Sequence, residues 1–244
     1  MTILVLMAGG DDAFLKAGYL YPKNLTVIRG RILAERVLDG LGEDLGPGSA
    51  NLVCAIRKEE HSRFYTGDVV RRVRPDAKIV QVPRTAGAVC TALLCIDQIP
   101  KDGELLIVNG DILLDTEMSR HIKGYRQRGL DGGLIVFRDI HPRWSFAKLD
   151  GGFVVEVAEK RPISEFATAG FYYFSRASAF FSGAFESLAR QPANGGSYFV
   201  APVYNECILE GARIGVSEVN RSKYHSLSTP ESVREYERYI DAGA

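Results

Sequence analysis

The sequence predicts an α/β protein built on a mostly parallel, doubly wound sheet with an antiparallel insertion in its second half. Three observations carry that reading: aliphatic runs alternating with amphipathic stretches in the first half, glycine or polar turns at the ends of those runs, and hairpin chemistry after Gly133. Thr2 to Met7 is a continuous aliphatic run ended by Gly9 and Gly10, the pattern of a central strand buried on both faces. Ile32 to Leu41 spaces Ile32, Leu33, Val37, Leu38 and Leu41 as one face of a helix. A turn at Gly46, Pro47 and Gly48 leads into a strand over Asn51 to Ile56. A charged helical stretch and a strand over Ala77 to Val82 follow. Ala88 to Ile96 reads as a buried helix, and Glu104 to Val108 as a fourth strand that ends at Asn109, Gly110 and Asp111. In such a sheet ligands bind at the carboxyl ends of the strands.

Leu134 to Phe137 continues the strand pattern. Phe146 to Leu149 and Phe153 to Val157 are then separated by Asp150-Gly151-Gly152, which favours a hairpin. Phe171 to Phe174 is an aromatic strand, Ala177 to Leu188 a helix, and Arg213 to Val219 a late strand at or near the sheet edge. Thr229 is placed to cap a last helix that has Pro230 in its first turn.

At 244 residues the chain can enclose a single core, and 46% hydrophobic with 25% charged residues is ordinary for a globular enzyme. Its 30 basic and 30 acidic residues cancel, so no overall field draws nucleic acid or an anionic membrane. Phosphate affinity must then come from a local site. Cys54, Cys90, Cys95 and Cys207 show no metal or redox spacing, which fits a reducing, cytoplasmic setting. His61, His121, His141 and His225 are scattered singly and read as surface or loop residues. The apolar Met1 to Met7 segment is too short to span a membrane and lacks a basic leader.

The residues able to carry chemistry cluster at strand ends. Gly9 and Gly10 after the first strand can bring backbone N–H groups close to a phosphate. Lys23, stiffened by Pro22, can act as a point charge on phosphate, although a solvated lysine is as common. Asp111 beside Gly110 can hold Mg²⁺ against ligand phosphates or simply form a turn. Thr85 and Gly87 precede a helix, where Gly87 leaves room for a flat base or serves only to start the helix. Glu159 and Lys160 belong to a charge cluster after a hairpin strand, facing the aromatic strand from Gly170.

The order and spacing of these pieces resemble the sugar-phosphate nucleotidyltransferases, in particular small single-domain members found with bacterial surface-polysaccharide functions. The resemblance covers nearly the whole chain. It rests on LVLMAGG from Leu4, AGYLYPKNL from Ala17, TAGA from Thr85, VNGD from Val108 and HPRWSFAKLD from His141. It continues with EVAEKRPIS from Glu156, ATAGFYYF from Ala167, YFVAPVYNE from Tyr198 and LSTPES from Leu227. The resemblance implies a glycosyltransferase-A-like, Rossmann-related sheet in one domain, 1–244, with residues 1–133 as a nucleotide-binding half and 134–244 as an acceptor-binding half. It also implies transfer of a nucleotidyl group from a nucleoside triphosphate to a sugar 1-phosphate or similar metabolite, with release of pyrophosphate. By position, Gly9 and Gly10 would lie under the nucleotide, Lys23 would face the triphosphate, Thr85 and Gly87 would lie near the base, and Asp111 would bind Mg²⁺. Glu159 and Lys160 would meet the sugar and its phosphate, and Gly170 would place its backbone against the sugar. The partners implied are small molecules rather than nucleic acid or membrane, and a homo-oligomer is compatible with the family.

The first loop departs from the family pattern. Glycine, a small hydroxyl residue and then arginine are usual there, whereas this chain has Asp11, Asp12 and Ala13 at those three positions. A lost transition-state donor of that kind costs about 2.7 to 4 kcal/mol. The expectation is that two carboxylates repel the triphosphate and slow the reaction, unless one is recruited to a metal. The region around Ser226 also lacks a carboxylate that many relatives use as a second metal ligand. Two rival readings stay open at this level: a degenerate binder of nucleotides or nucleotide-sugars, and a glycosyltransferase on the same fold. The latter usually carries an Asp-x-Asp pair, and here Ile112 and Leu113 follow Asp111.

Overall fold

The protein is described here by a computed structural model covering residues 1–42, 45, 48–190 and 195–243. Of the turn expected before the second long strand, Gly46 and Pro47 lie outside the described residues; Gly48 has a positive φ of 82°.

The chain runs β1 (Thr2–Leu6), α1 (Asp12–Lys16), a short β2 (Val27–Ile28) and β3 (Arg31–Ile32), and α2 (Leu33–Asp39). The next elements are β4 (Asn51–Arg57), α3 (Lys58–Phe64), α4 (Thr66–Val73), β5 (Lys78–Val82) and α5 (Ala88–Leu93). β6 (Leu105–Asn109), β7 (Ile112–Leu114) and α6 (Met118–Gln127) complete the first half. The second half contains β8 (Gly132–Arg138), β9 (Ser145–Asp150), β10 (Phe153–Glu159), β11 (Phe166–Phe174), α7 (Ala177–Arg190) and α8 (Val203–Leu209). It ends with β12 (Ile214–Glu218), β13 (Tyr224–Ser226) and α9 (Pro230–Asp241).

One nine-stranded sheet draws strands from both halves, in the order β10-β9-β11-β6-β1-β4-β5, with β8 paired to β11 and β12 paired to β8. β1 pairs in parallel with β4 and β6, and β4 in parallel with β5, as the alternating aliphatic runs predict. β11 enters antiparallel to β6, and β9 and β10 form the expected hairpin around Gly151 and Gly152, which both have positive φ. That pair of left-handed residues matches the right-handed twist of the flanking strands.

Alternate side chains of the central strands feed two cores, which is what doubly wound means in side-chain terms. Ile3, Val5, Leu106 and Val108 pack on one face with Leu33, Val37 and Ile122 from α2 and α6. Leu4, Leu105 and Ile107 pack on the other with Val89, Phe180 and Tyr204 from α5, α7 and α8. Each such buried side chain contributes about 1.5 to 3 kcal/mol, so both faces must be covered for the sheet to be stable.

The last helix begins as expected. The Thr229 hydroxyl accepts the Ser232 backbone N–H at 3.2 Å and the Ser232 hydroxyl accepts from Thr229 N at 3.1 Å, a reciprocal cap. Three histidines differ from expectation: His61 is half-buried in α3 and its Nδ1 accepts Gly67 N at 3.2 Å. His121 is buried in α6, with Nδ1 2.7 Å from the Ser217 hydroxyl and Nε2 3.0 Å from the Thr116 hydroxyl. Burial, with Arg120 and Lys223 nearby, holds its pKa below the ordinary histidine value. His225 sits half-buried against the rings of Tyr236 and Tyr239. No helix among the described residues is long and apolar enough to cross a membrane.

Candidate active site

A cleft of about 650 Å³ opens over the carboxyl ends of β1, β4 and β6 and is closed on its far side by β9, β10 and β11. β11 is irregular where it borders the cleft. Pairing with β6 stops at Phe171, pairing with β9 occurs at Ala167, and the register shifts between Thr168 and Tyr172. Gly170 occupies that break with φ 74°, and a Cβ there would lie 2.5 Å from Ile112 Cδ1 and 2.8 Å from Asn109 Nδ2. Only glycine permits both the left-handed backbone and this approach.

Lys23 and Asp111 meet in the middle. The lysine follows Pro22 in a short 3₁₀ turn, is 5% exposed, and donates from Nζ to Asp111 Oδ2 at 2.6 Å. Asp111 follows β6 and is fixed from behind, because its carbonyl accepts Leu227 N at 2.7 Å. Gly9 lies directly over the lysine: a Cβ there would stand 3.0 Å from Nζ, whereas a Cβ on Gly10 would meet nothing within 4 Å. The first loop is tied to this pair from below. Asn24 Nδ2 donates to Met7 O at 2.8 Å and to Glu60 Oε1 at 2.9 Å.

Burial raises the Glu60 carboxyl pKa above its ordinary value, against the hydrogen bond from Asn24. A carboxyl whose pKa is raised by folding is stabilising when protonated and loses that advantage as pH climbs from its unfolded value through its folded one. Glu60→Gln, which stays neutral, is therefore expected to melt higher than the wild type at neutral pH, with the difference shrinking to nothing below about pH 4.3. Thermal melting across that range checks the sign.

The two aspartates of the first loop sit differently. Asp11 is 5% exposed, its Oδ1 accepts Lys23 N at 3.0 Å, and its Oδ2 accepts from Arg57 Nη2. Asp12 is the first residue of α1 and remains exposed on the cleft wall, and Ala13 is exposed one residue further on. Of the two carboxylates, that of Asp11 is paired with Arg57 within the fold.

On the wall that leads into α5, Thr85 and Gly87 both line the cleft. The Thr85 hydroxyl is 2.7 Å from that of Thr91 and donates to Gly87 O at 3.1 Å. The space made by the missing side chain of Gly87 is taken by backbone rather than left for a base. At φ 115° a Cβ would lie 2.5 Å from Tyr198 O, and Tyr198 N donates to Ala86 O at 2.8 Å.

On the opposite side Glu159 ends β10 and accepts a hydrogen bond from the Ser145 hydroxyl. Burial pushes its pKa up, while Ser145 and Lys160 oppose the rise. Lys160 has a left-handed backbone, φ 53°, held by its N–H to Trp144 O at 2.9 Å, and its ammonium lies 4.9 Å from the Phe199 ring centre. Lys23, Asp111, Glu159, Lys160, Gly9, Gly10, Thr85, Gly87 and Gly170 are thus brought to one cleft or directly beneath it.

Sequence reasoning missed Arg57, Arg84 and Arg143, which line the same cleft. Arg57 ends an apolar strand and reads as the first charge of the helical stretch after it. Its place at the carboxyl end of a parallel strand was the only available signal.

Among the described residues no three His, Cys, Asp or Glu side chains gather to hold a metal. Asp111 nevertheless fits Mg²⁺ carried in on phosphates, because Mg²⁺ keeps several waters and needs only one or two protein carboxylates. The hydroxyls of Ser226 and Ser228, 2.8 Å apart, also line the cleft.

This architecture, a parallel Rossmann-like sheet continued by an antiparallel half that walls a cleft, is the nucleotidyltransferase fold. A nucleoside-diphosphate-sugar pyrophosphorylase from Vibrio cholerae RC9 superposes with a TM-score of 0.82 at 23% identity, over 97% of this chain and 99% of that one. A Bacillus anthracis protein provisionally described as a glucose-1-phosphate thymidylyltransferase, solved in complex with sucrose, gives a TM-score of 0.78 at 13% identity. That match covers 98% of this chain and 95% of the other. No protein-family model matches the chain. At these identities the likeness is one of fold.

Proposed function

We propose that the protein transfers a nucleotidyl group from a nucleoside triphosphate to a sugar 1-phosphate or similar phosphorylated metabolite, releasing pyrophosphate, in the synthesis of surface-polysaccharide precursors. The observation that carries this reading is the position of the Lys23–Asp111 pair, at 2.6 Å, between a glycine-rich wall and the Glu159–Lys160 wall of one cleft. That arrangement suits two phosphorylated ligands meeting end to end. Residues 1–133 would hold the nucleotide, with Gly9 and Gly10 beneath it and Thr85 and Gly87 beside the base. Residues 134–244 would hold the acceptor, with Glu159 accepting from sugar hydroxyls, Lys160 facing the phosphate and the Gly170 backbone against the ring. These ligands are cytoplasmic small molecules, so the reading needs no membrane or nucleic acid.

In the reaction an acceptor phosphate oxygen attacks the α-phosphorus. The new oxygen–phosphorus bond forms as the bond from the α-phosphorus to the bridging oxygen of the β-phosphate breaks, and pyrophosphate leaves with that electron pair. Catalysis of this kind needs alignment and charge neutralisation more than covalent help. Lys23 is pre-positioned for the second task because its ammonium is already held and largely desolvated. Mg²⁺, when bound with the triphosphate, would supply further neutralisation of phosphate charge, and Asp111 is the carboxylate that would hold it.

Calorimetric titration tests the division of the cleft. Lys160→Ala is expected to weaken sugar 1-phosphate binding by roughly tenfold, about 1.4 kcal/mol, while changing nucleotide affinity far less. Equal losses for both ligands would place Lys160 elsewhere than on the acceptor side.

A further inference from the structure

We infer that Arg57 is the guanidinium that meets the triphosphate in this cleft, and that Asp11 is the residue that positions it. The inference rests on the nucleotide reading of the cleft given above.

Arg57 is the last residue of β4, which runs parallel to β1 with Ala55 opposite Leu6. This register brings the arginine up beside the Met7 to Gly10 loop, and it lines the cleft together with Gly9, Gly10, Asp12 and Asp111. Its side chain is 21% exposed, so most of the stem is packed while part of the head reaches the cleft. Guanidinium stays charged at all relevant pH and presents five donors in a planar fork that suits phosphate oxygens.

The side chain is held in place before any ligand arrives. Nη2 is bonded to Asp11 Oδ2, and the other oxygen of the same carboxylate accepts Lys23 N at 3.0 Å. One buried carboxylate therefore fixes both an arginine side chain and the backbone of the lysine that pairs with Asp111. Arg57 Nε is buried and has no hydrogen-bond partner. That buried Nε is out of a ligand's reach, but Asp11 engages the fork only at Nη2 and the exposed part of the head faces the cleft, where a phosphate oxygen could meet it. The chain places a cation from β4 over the loop whose own residues, Asp11, Asp12 and Ala13, supply none.

The test measures affinity for the tightest-binding of ATP, CTP, GTP, UTP and dTTP with Mg²⁺, and for the corresponding nucleoside, in the full chain. Arg57→Ala is expected to weaken triphosphate binding by roughly tenfold or more while nucleoside affinity changes by less than about twofold. Arg57→Lys, which keeps the charge without the fork, should fall between the two and covers the case in which the alanine variant does not fold. Asp11→Asn should raise the KM for triphosphate and leave the KM for sugar 1-phosphate unchanged, a split that a general loss of structure would not produce. Added guanidinium ion should restore part of the lost triphosphate affinity of Arg57→Ala. Folded Arg57 variants that bind triphosphate like the wild type, or that lose nucleoside and triphosphate affinity equally, would overturn the inference while leaving the proposed function intact. A wild type that binds none of the five triphosphates would overturn both.

Discussion

Asp111→Asn is expected to abolish Mg²⁺-dependent nucleotide binding and to lower the melting temperature, because it acts on both members of the Lys23–Asp111 pair. The amide no longer balances an ammonium whose side chain is 7% exposed, and it no longer offers a charged oxygen to a metal. Removing one partner of a fully buried pair costs about 3 to 5 kcal/mol, and the 22% exposure of Asp111 reduces that to the lower end or below. For a chain of this size about 2 kcal/mol corresponds to a fall of roughly 4 to 8 °C. Lys23→Ala should behave differently. The remaining carboxylate can be solvated, so the melting temperature falls less, while turnover drops by about 10²- to 10³-fold through loss of a fixed cation at the developing charge. Thermal melting with a pyrophosphate-release assay separates the two effects. A Lys23→Ala protein with undiminished turnover would remove the lysine from the chemistry.

The second large effect is expected at Gly87. Its φ of 115° with ψ of −177° lies in a region open essentially to glycine, which costs another residue about 1 to 3 kcal/mol before contacts are considered. An alanine Cβ would also stand 2.5 Å and 2.6 Å from the carbonyl oxygen and nitrogen of Tyr198, both backbone atoms with little freedom to move. Relief requires the Ser197 to Phe199 segment to part from the start of α5. Phe199 carries the ring beneath the Lys160 ammonium, so the disturbance should reach the Glu159–Lys160 wall of the cleft. Gly87→Ala is therefore expected to lower stability and to raise the KM for sugar 1-phosphate, the ligand proposed to meet Lys160, although the substitution is made on the opposite wall. Unchanged melting and unchanged acceptor KM would show that the two walls are not coupled through Tyr198.

The parts of the fold legible in the sequence were those determined locally. β1 and β6 announce themselves as unbroken aliphatic runs, the β9–β10 hairpin by its two glycines, and α9 by Thr229 and Pro230. The elements not foreseen are short or stabilised by distant partners. β2 pairs with β3 over two residues each, β7 pairs with β13 from the far end of the chain, and α8 is only seven residues long. α6 did carry a signal, with Met118, His121, Ile122 and Tyr125 on one buried face, but its charged remainder masked it.

The site shows the same division. Lys23, Asp111, Glu159 and Lys160 could be picked out because each follows a strand or a stiff turn. The electrostatic role of Asp11 could not. Its sign depends on Arg57, 46 residues away, and only the parallel pairing of β1 with β4 brings the two together. A carboxylate that reads as repulsive in the sequence becomes, in the fold, the anchor of a cation.

The most direct test of the proposed function is a pyrophosphate-release screen of the full chain with Mg²⁺, pairing each of ATP, CTP, GTP, UTP and dTTP with a panel of sugar 1-phosphates and other phosphorylated metabolites. Pyrophosphate is expected from at least one pair, only when both members are present, and in equal amount with a nucleotide-linked product. Binding of a triphosphate without pyrophosphate from any pair would contradict that function and leave a cleft that holds nucleotides without turning them over.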